Sequence, residues 1–340
     1  MRVAIVNNAL GQADAPDQHD VMIQVDSVGK ALIALGHEVE TISCGFDLSY
    51  TGNRLKDFGP EIVFNLVEDL EGHGRLIHLF PFFLDAMAIP YTGSCAESIL
   101  LTSNKIMAKE RLKTAGLPTP EWIGPYPVTM PWTGNRKDHS LLPEAWIIKS
   151  VWEHASAGLD ENGLLRSRDF ESVYMAIKKH ATRLGGTCFA EEFIDGLEFN
   201  LSLLQGPDGV EILPPAEIIF DGYGNEKPRI LGYRAKWDKT SYEYRHTIRT
   251  FSFNSKDALL IAELKRLALK CWTLFGLRGY ARVDFRVDNH DLPWILEINS
   301  NPCLSPDAGF PAAAAYKGIG FAEIVRRILK DVSFVDQVSP

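Results

Sequence analysis

Short apolar runs alternate with longer stretches of helical period through residues 1–93. Residues 3–6 form a β-branched run, and residues 21–35 carry helical periodicity that stops at Gly36, a residue type that commonly ends helices. Residues 39–42 and 62–66 read as further strands, 80–87 as a helix, and 89–93 (Ile-Pro-Tyr-Thr-Gly) as a closing turn. This alternation predicts a parallel sheet covered by helices. The first strand leads into Asn7-Asn8-Ala9-Leu10-Gly11 rather than a GxGxxG turn, which argues against a dinucleotide site.

Beyond this unit the pattern changes. A helix over 104–115 ends at Gly116, and Pro118 and Pro120 prevent its continuation. The proline-rich stretch 125–143 predicts a loop or linker. A strand over 145–149 leads into a loop of small and polar residues, 150–158. Residues 188–193 and 198–204 read as strands on either side of an Asp195-Gly196 turn, and 220–244 as a long mobile loop. The clearest helix spans 257–275, with Leu260, Leu264, Leu267, Cys271 and Leu274 on one stripe.

The segment 281–301 carries the most chemistry. Ala281, Val283, Phe285 and Val287 alternate with Arg282, Asp284, Arg286 and Asp288, which predicts a half-buried strand. Residues 288–293 form a turn and 294–299 a second strand. Folded about the midpoint between His290 and Asp291, the hairpin would set Asp284 opposite Glu297 and Arg282 opposite Asn299. Opposed carboxylates repel unless a cation lies between them, and oxygen ligands from Asp, Glu and Asn suit magnesium. A solvated hairpin face with unrelated charges explains the same alternation.

Composition narrows the classes. A 340-residue chain with 46% hydrophobic and 23% charged residues has enough material for several packed layers. Its net charge of −9 argues against non-specific nucleic-acid or anionic-membrane binding, although a local basic pocket for a polyphosphate remains compatible with it. No apolar run approaches the ~18 residues of a membrane span, and the N-terminal stretch does not read as a secretory signal. Five dispersed cysteines without a CxxC pair suggest neither a zinc ribbon nor a disulfide framework; a reduced cytoplasmic setting is the simplest reading.

A polyphosphate needs cations along its length. Lys105 starts a helix, Lys149 ends an apolar strand, and Lys236 lies in the predicted mobile loop beside Tyr233, Arg234 and Trp237. The loop after Lys149 is able to close over phosphates through backbone N–H groups. Residues 191–198 (Glu-Glu-Phe-Ile-Asp-Gly-Leu-Glu) mix acids with apolar side chains, so a strand edge there would offer backbone groups to an adenine ring and Glu198 to ribose hydroxyls. An acidic edge strand that resists aggregation accounts for the same residues.

Taken in order, these motifs resemble the D-alanine–D-alanine ligase family of the ATP-grasp superfamily over nearly the whole chain. The specific parts are Arg282-Val283-Asp284-Phe285 with Glu297-Ile298-Asn299, and Tyr233-Arg234-Ala235-Lys236-Trp237. Supporting parts are 89–94, Asn104-Lys105 with Lys109 and 116–120, and 191–198. The resemblance implies an α/β chain: an N-terminal parallel domain over 1–94, then two α+β ATP-grasp subdomains over 95–195 and 196–334. It implies that Lys105, Lys149 and the loop residue Ser156 bind ATP phosphates. Glu191, Phe193 and Ile194 would contact adenine, and Glu198 the ribose. Asp284, Glu297 and Asn299 would hold two magnesium ions, or manganese. Lys236 would approach the γ-phosphate and Arg282 would stabilise an oxyanion. The implied reaction converts a carboxylate to an acyl-phosphate that an amine then captures. Its substrates are small amino-acid, carboxylate and amine molecules, and a homodimer is the implied assembly.

The departures from the family lie on the substrate side. Cys303 stands where the family has an oxyanion-binding Gly, Ala308 where it has a carboxylate-binding Ser, and Ala155-Ser156 replaces a Ser-Ser pair. The amine-gripping Glu has no clear match in residues 7–14, and 68–74 replaces the family's His-Gly. A different amino acid, a hydroxy acid or a larger amine is therefore open as substrate. A small packed residue is favoured over a reactive thiol at Cys303, and His73 and His78 are candidates for the substrate pocket. Another ATP-grasp ligase or kinase, or a catalytically silent ATP-binding module, are the alternatives to the ligase.

Overall fold

The computed structural model describes residues 1–9, 16–127, 142–152, 161–182, 186–224 and 227–332. Three sheets organise them. The first has the order β2-β1-β3, all parallel, from β1 (Arg2–Asn8), β2 (Glu38–Cys44) and β3 (Ile62–Leu66). Helices α1 (Pro16–Ala34), α2 (Leu48–Phe58) and α3 (Leu79–Ala86) accompany it. β1 is buried along all but its first residue, as expected of a parallel strand covered on both faces. Val3 and Ile5 pack towards α1, while Ala4 and Val6 pack towards Leu55 of α2 and Phe80 and Leu84 of α3.

Helices α4 (Ala96–Ser103) and α5 (Lys105–Thr114) follow, then a four-stranded antiparallel sheet of order β4-β7-β5-β6. Its strands are β4 (Trp122–Tyr126), β5 (Ala145–Ser150), β6 (Leu164–Arg166) and β7 (Cys188–Glu192), with α6 (Phe170–Ala181) packed on one face. The predicted loop over 125–143 thus starts late: Pro125 and Tyr126 belong to β4. β4 is an edge strand, where a missing N–H leaves no ladder bond unmade.

The third sheet is antiparallel, of order β11-β10-β8-β12-β13 with β9 also on β8. It comprises β8 (Leu197–Gly206), β9 (Gly209–Ile212), β10 (Ala216–Phe220), β11 (Thr247–Thr250), β12 (Tyr280–Val287) and β13 (Pro293–Asn299). Between β10 and β11 the predicted mobile loop contains two short helices, α7 (Tyr233–Trp237) and α8 (Tyr242–His246). Ser241 starts α8 by accepting from the Tyr244 N–H.

Strand alternation divides the third sheet into two faces. Ala281, Val283, Phe285 and Val287 pack with Phe199, Leu201 and Leu203 against α9 (Ala258–Leu274). The same core takes Ala108, Leu112 and Leu117, so α5 leans on the third sheet although it precedes the second in sequence. The opposite face carries Arg282, Asp284 and Arg286, and at its far end Tyr280 meets Phe310 of α10 (Gly309–Tyr316). α11 (Phe321–Lys330) completes that side and packs with α1 of the first domain.

Candidate active site

The hairpin register agrees with the symmetric fold at its business end. Arg282 pairs with Asn299 and Asp284 with Glu297. Beyond that point the register shifts between Asp284 and Phe285, and Phe285 pairs with Ile295. Leu296 is the extra residue of a bulge. The bulge lets Ile295 stay in the core while Glu297 and Asn299 share the Asp284 face.

Asp284 collects four donors. Arg282 Nε stands 2.7 Å from Oδ1 and Nη2 2.8 Å from Oδ2. Asn200 Nδ2 donates to Oδ1 at 2.8 Å and Asn299 Nδ2 to Oδ2 at 3.1 Å. Burial opposes the Arg282 charge, but the Asp284 carboxylate outweighs burial and holds the guanidinium firmly ionised. Lys236, on α7, lies within electrostatic reach of Arg282, Glu297, Asp284 and Glu198; burial and then Arg282 lower its pKa. The structure thus brings Arg282, Asp284, Glu297, Asn299 and Lys236 together. Two carboxylates and an amide oxygen on one face suit a hard cation that completes its shell with phosphate oxygens and water. Among the described residues no group of three or more His, Cys, Asp or Glu side chains is placed to hold a metal.

A second cluster lies where β5, β7 and α5 meet. Glu191 is 1% exposed and meets the ammonium of Lys149 with one carboxylate oxygen. Its Oε2 stands 2.8 Å from Lys109 Nζ. Burial pushes the Glu191 pKa up, but the two ammonium groups outweigh burial and the net direction is down. The resemblance implies a contact of Glu191 to adenine, and its carboxylate lies in this ion cluster. Lys105 opens α5 behind the Asn104 cap, and its backbone N–H donates to Val151 O at 3.1 Å. Ser156 lies outside the described residues.

The hinge between β7 and β8 keeps backbone groups available. Phe193 N donates to Ala145 O at 2.9 Å, whereas among the described residues the Ile194 amide and carbonyl have no hydrogen-bond partner. Gly196 turns the chain with φ +155, and a Cβ there would stand 2.0 Å from Val287 O. Glu198 is 6% exposed and sits 3.2 Å from Arg286 Nη2; burial pushes its pKa up while Arg286 pulls it down. Arg286 also donates to Gly196 O at 3.1 Å and to Arg229 O, and its guanidinium lies 5.8 Å from the Phe193 ring centroid and 5.6 Å from that of Phe220. One arginine thereby joins the hinge to the segment that leads into α7.

After the hairpin, Cys303 and Ser305 meet α1. Cys303 Sγ donates to Asp20 Oδ2 at 3.0 Å and Ser305 Oγ to Asp20 Oδ1 at 2.5 Å. Gln24 accepts from Leu304 N at 2.9 Å and donates to Glu68 at 2.8 Å. Burial, with Glu68 and Asp20 nearby, pushes the Cys303 thiol far above its ordinary range, which favours its protonated form. Ala308 precedes α10 without a side-chain cap. His73 stacks on Phe46, and His78 meets the edge of Phe82 with its pKa lowered by burial.

In the sequence, Lys109 stands out only within a supporting motif and Arg286 only within the strand alternation, with no role given to either, nor to Asn200 or Asp20. Three of them had a spacing signal. Lys109 follows Lys105 by one helical turn, and Asn200 and Arg286 follow Glu198 and Asp284 by two strand positions, on the same face. Asp20 offers none, because its partners come from the other end of the chain.

The family model described as D-ala D-ala ligase C-terminus matches residues 112–330. An uncharacterized protein of Sinorhizobium fredii is 30% identical over 311 residues, covering 89% of this chain and 85% of that protein. A D-alanine–D-alanine ligase of Synechococcus is 29% identical over 303 residues, with 89% and 85% covered, and that of Aquifex aeolicus 27% over 308 residues, with 89% and 92% covered. Among solved structures, a Bacillus anthracis D-alanine–D-alanine ligase complexed with ATP superposes with a TM-score of 0.72, covering 97% of both chains at 17% identity. The Coxiella burnetii enzyme gives a TM-score of 0.68 at 15% identity, with 97% of this chain and 94% of that one covered. These structures share the α/β ATP-grasp fold seen here, and with the family match across its C-terminal two-thirds the chain belongs to the D-ala D-ala ligase family.

Proposed function

We propose that this chain joins a carboxylate to an amine through an acyl-phosphate, with ATP as the phosphoryl donor. The observation that carries this reading is the convergence of Asp284, Glu297, Asn299, Arg282 and Lys236 on one face of the third sheet. Lys105, Lys149 and Ser156 bind phosphates. The backbone at Phe193 and Ile194 meets adenine, and Glu198 meets the ribose. Asp284, Glu297 and Asn299 would hold two magnesium ions, or manganese, whose Lewis acidity neutralises charge on the phosphates.

Lys236 draws the γ-phosphoryl group towards the substrate carboxylate. A carboxylate oxygen bonds to γ-phosphorus as the bridging oxygen leaves with ADP. The amine nitrogen then bonds to the acyl carbon and loses a proton, Arg282 stabilises the oxyanion, and inorganic phosphate leaves. Closure of the segment that bears α7 excludes water from the acyl-phosphate. The units are 1–94, 95–195 and 196–334. A homodimer and a cytoplasmic setting accompany this reading; no helix among the described residues is long and apolar enough to cross a membrane.

The substrate side favours a pair other than two D-alanines. Cys303 and Ser305 are tied to Asp20, and Ala308 offers no hydroxyl to a carboxylate. Magnesium-dependent phosphate release across a panel of carboxylate and amine pairs, with products identified by mass spectrometry, tests the proposal. Turnover with one pair is expected. Tight ATP binding without release for any pair would instead indicate a silent ATP-binding module.

A further inference from the structure

Glu191 has two cationic partners, and they differ in what else they can do. Lys109 is sealed, with a side chain 1% exposed. Besides its ion pair with Glu191, it donates to Thr119 Oγ1 and to Pro120 O, each at 2.9 Å, so its ammonium is surrounded by protein acceptors. The Trp122 ring covers it, with the centroid 5.4 Å from Nζ. Lys149 has a side chain 15% exposed, and among the described residues Glu191 is its one partner. Among the described residues Lys149 thus keeps donor capacity for a ligand, which the sealed Lys109 does not.

A triphosphate that attracts Lys149 draws its ammonium away from Glu191. The carboxylate cannot follow, because it is buried and its second oxygen is held by Lys109. Left with no cation, a buried carboxylate would resist that movement and weaken nucleotide binding. With Lys109 in place, the carboxylate keeps one permanent partner. We propose that Lys109 is the resident counter-ion of Glu191, a positioning residue that frees Lys149 to bind the nucleotide phosphates. The proposal rests on Lys149 being a phosphate ligand, as argued above.

The anchorage of Lys109 reaches further. Thr119 Oγ1, which accepts from Lys109, donates to Ile295 O at 3.0 Å, and Ile295 N donates to Pro118 O at 2.9 Å. Ile295 lies on β13, two positions before Glu297. The counter-ion is thus fixed to the strand that carries the metal-side groups, not to a surface loop.

The test is ATP affinity measured by calorimetry with magnesium and no acceptor, alongside kcat and KM. In Lys109→Met, Glu191 retains only Lys149 and holds it. The dissociation constant for ATP is expected to rise at least about ten-fold, with kcat at saturating ATP changed less. Adding Glu191→Gln to that variant removes the carboxylate that needs a cation, and affinity should return to within about three-fold of wild type. A merely structural lysine would not show that rescue.

Wild-type affinity in Lys109→Met, or a double variant no tighter than the single one, overturns the proposal. Should Lys109→Met not fold, the neutral pair carries the test: affinity near wild type supports the proposal, and a loss beyond about ten-fold overturns it. Lys149→Met separates the two readings. If it binds ATP as wild type does, the phosphate role of Lys149 fails and the counter-ion role with it. If it weakens binding while Lys109→Met does not, only the counter-ion role fails.

Discussion

Asp284→Asn keeps the shape of the side chain and changes one acceptor atom into a donor. Each Asp284 oxygen accepts one bond from Arg282 and one from an asparagine amide: Oδ1 from Nε and Asn200, Oδ2 from Nη2 and Asn299. Whichever way the new amide lies, one guanidinium N–H and one neutral N–H lose their acceptor. That costs about 1.5–3 kcal/mol for the charged donor and about 1 kcal/mol for the neutral one. Arg282, 17% exposed, also loses its counter-charge, and breaking a buried pair on one side costs about 3–5 kcal/mol by itself. The two routes count overlapping effects and agree on about 3–4 kcal/mol.

In a thermal melt without ligand this corresponds to a fall of about 4–6 °C. The metal role adds a separable effect. Wild type in Mg·ADP at a hundred-fold excess over its dissociation constant should gain about 2.7 kcal/mol, and the variant should lose most of that gain. A variant that melts within about one degree of wild type and keeps the magnesium-dependent gain would refute both the cluster and the metal assignment.

Three further outcomes follow from the site. Burial and Arg282 lower the Lys236 pKa, and the ammonium is the form that meets phosphate, so turnover should fall on the alkaline side at a pH below the ordinary lysine value of about 10.4. Lys236→Arg should remove that limb from the pH–rate profile, because a guanidinium stays charged; an unchanged limb rules the lysine out as its source. Cys303 should resist iodoacetamide in the folded chain at about pH 8 and react once the chain is unfolded, as mapped by mass spectrometry. Because its folded pKa is raised, the unfolded thiol ionises first, and its contribution to stability falls as pH climbs past about 8.5; prompt labelling of native protein would sink this. Lys227 bridges Glu161 at 2.5 Å and Glu243 at 2.8 Å, joining the second unit to the segment that bears α7 and α8. Lys227→Met should raise the KM for ATP by about two- to five-fold, the effect shrinking in high salt, and a salt-independent KM would count against the bridge.

Some of this was legible in the chain and some was not, for identifiable reasons. β1 and β3 showed as β-branched runs because strands covered on both faces are apolar throughout. The hairpin showed because alternation fixes both face and register, and the Asp284–Glu297 opposition followed from symmetry alone. The bulge at Leu296 carries no glycine or proline to betray it, and beside it the Ile295 N–H donates to the Pro118 carbonyl, a partner distant in sequence. α10 reads Gly-Phe-Pro-Ala-Ala-Ala-Ala-Tyr, too uniformly small and apolar to show a face. The Glu191 cluster escaped because its members come from β5, β7 and α5, and only folding reveals that the glutamate faces two lysines.

The covering of the first sheet has a practical consequence. Val3, Ile5, Val25, Val28 and Leu32 share one core with Phe310, Ile324, Val325 and Ile328 from the chain's last two helices. A fragment cut after residue 94 would lose the part of that core supplied by the last two helices and should aggregate when produced alone. Chimeras that exchange this substrate-side unit between relatives will therefore need to carry α10 and α11 with it, so that the two ends of the polypeptide travel as one cassette.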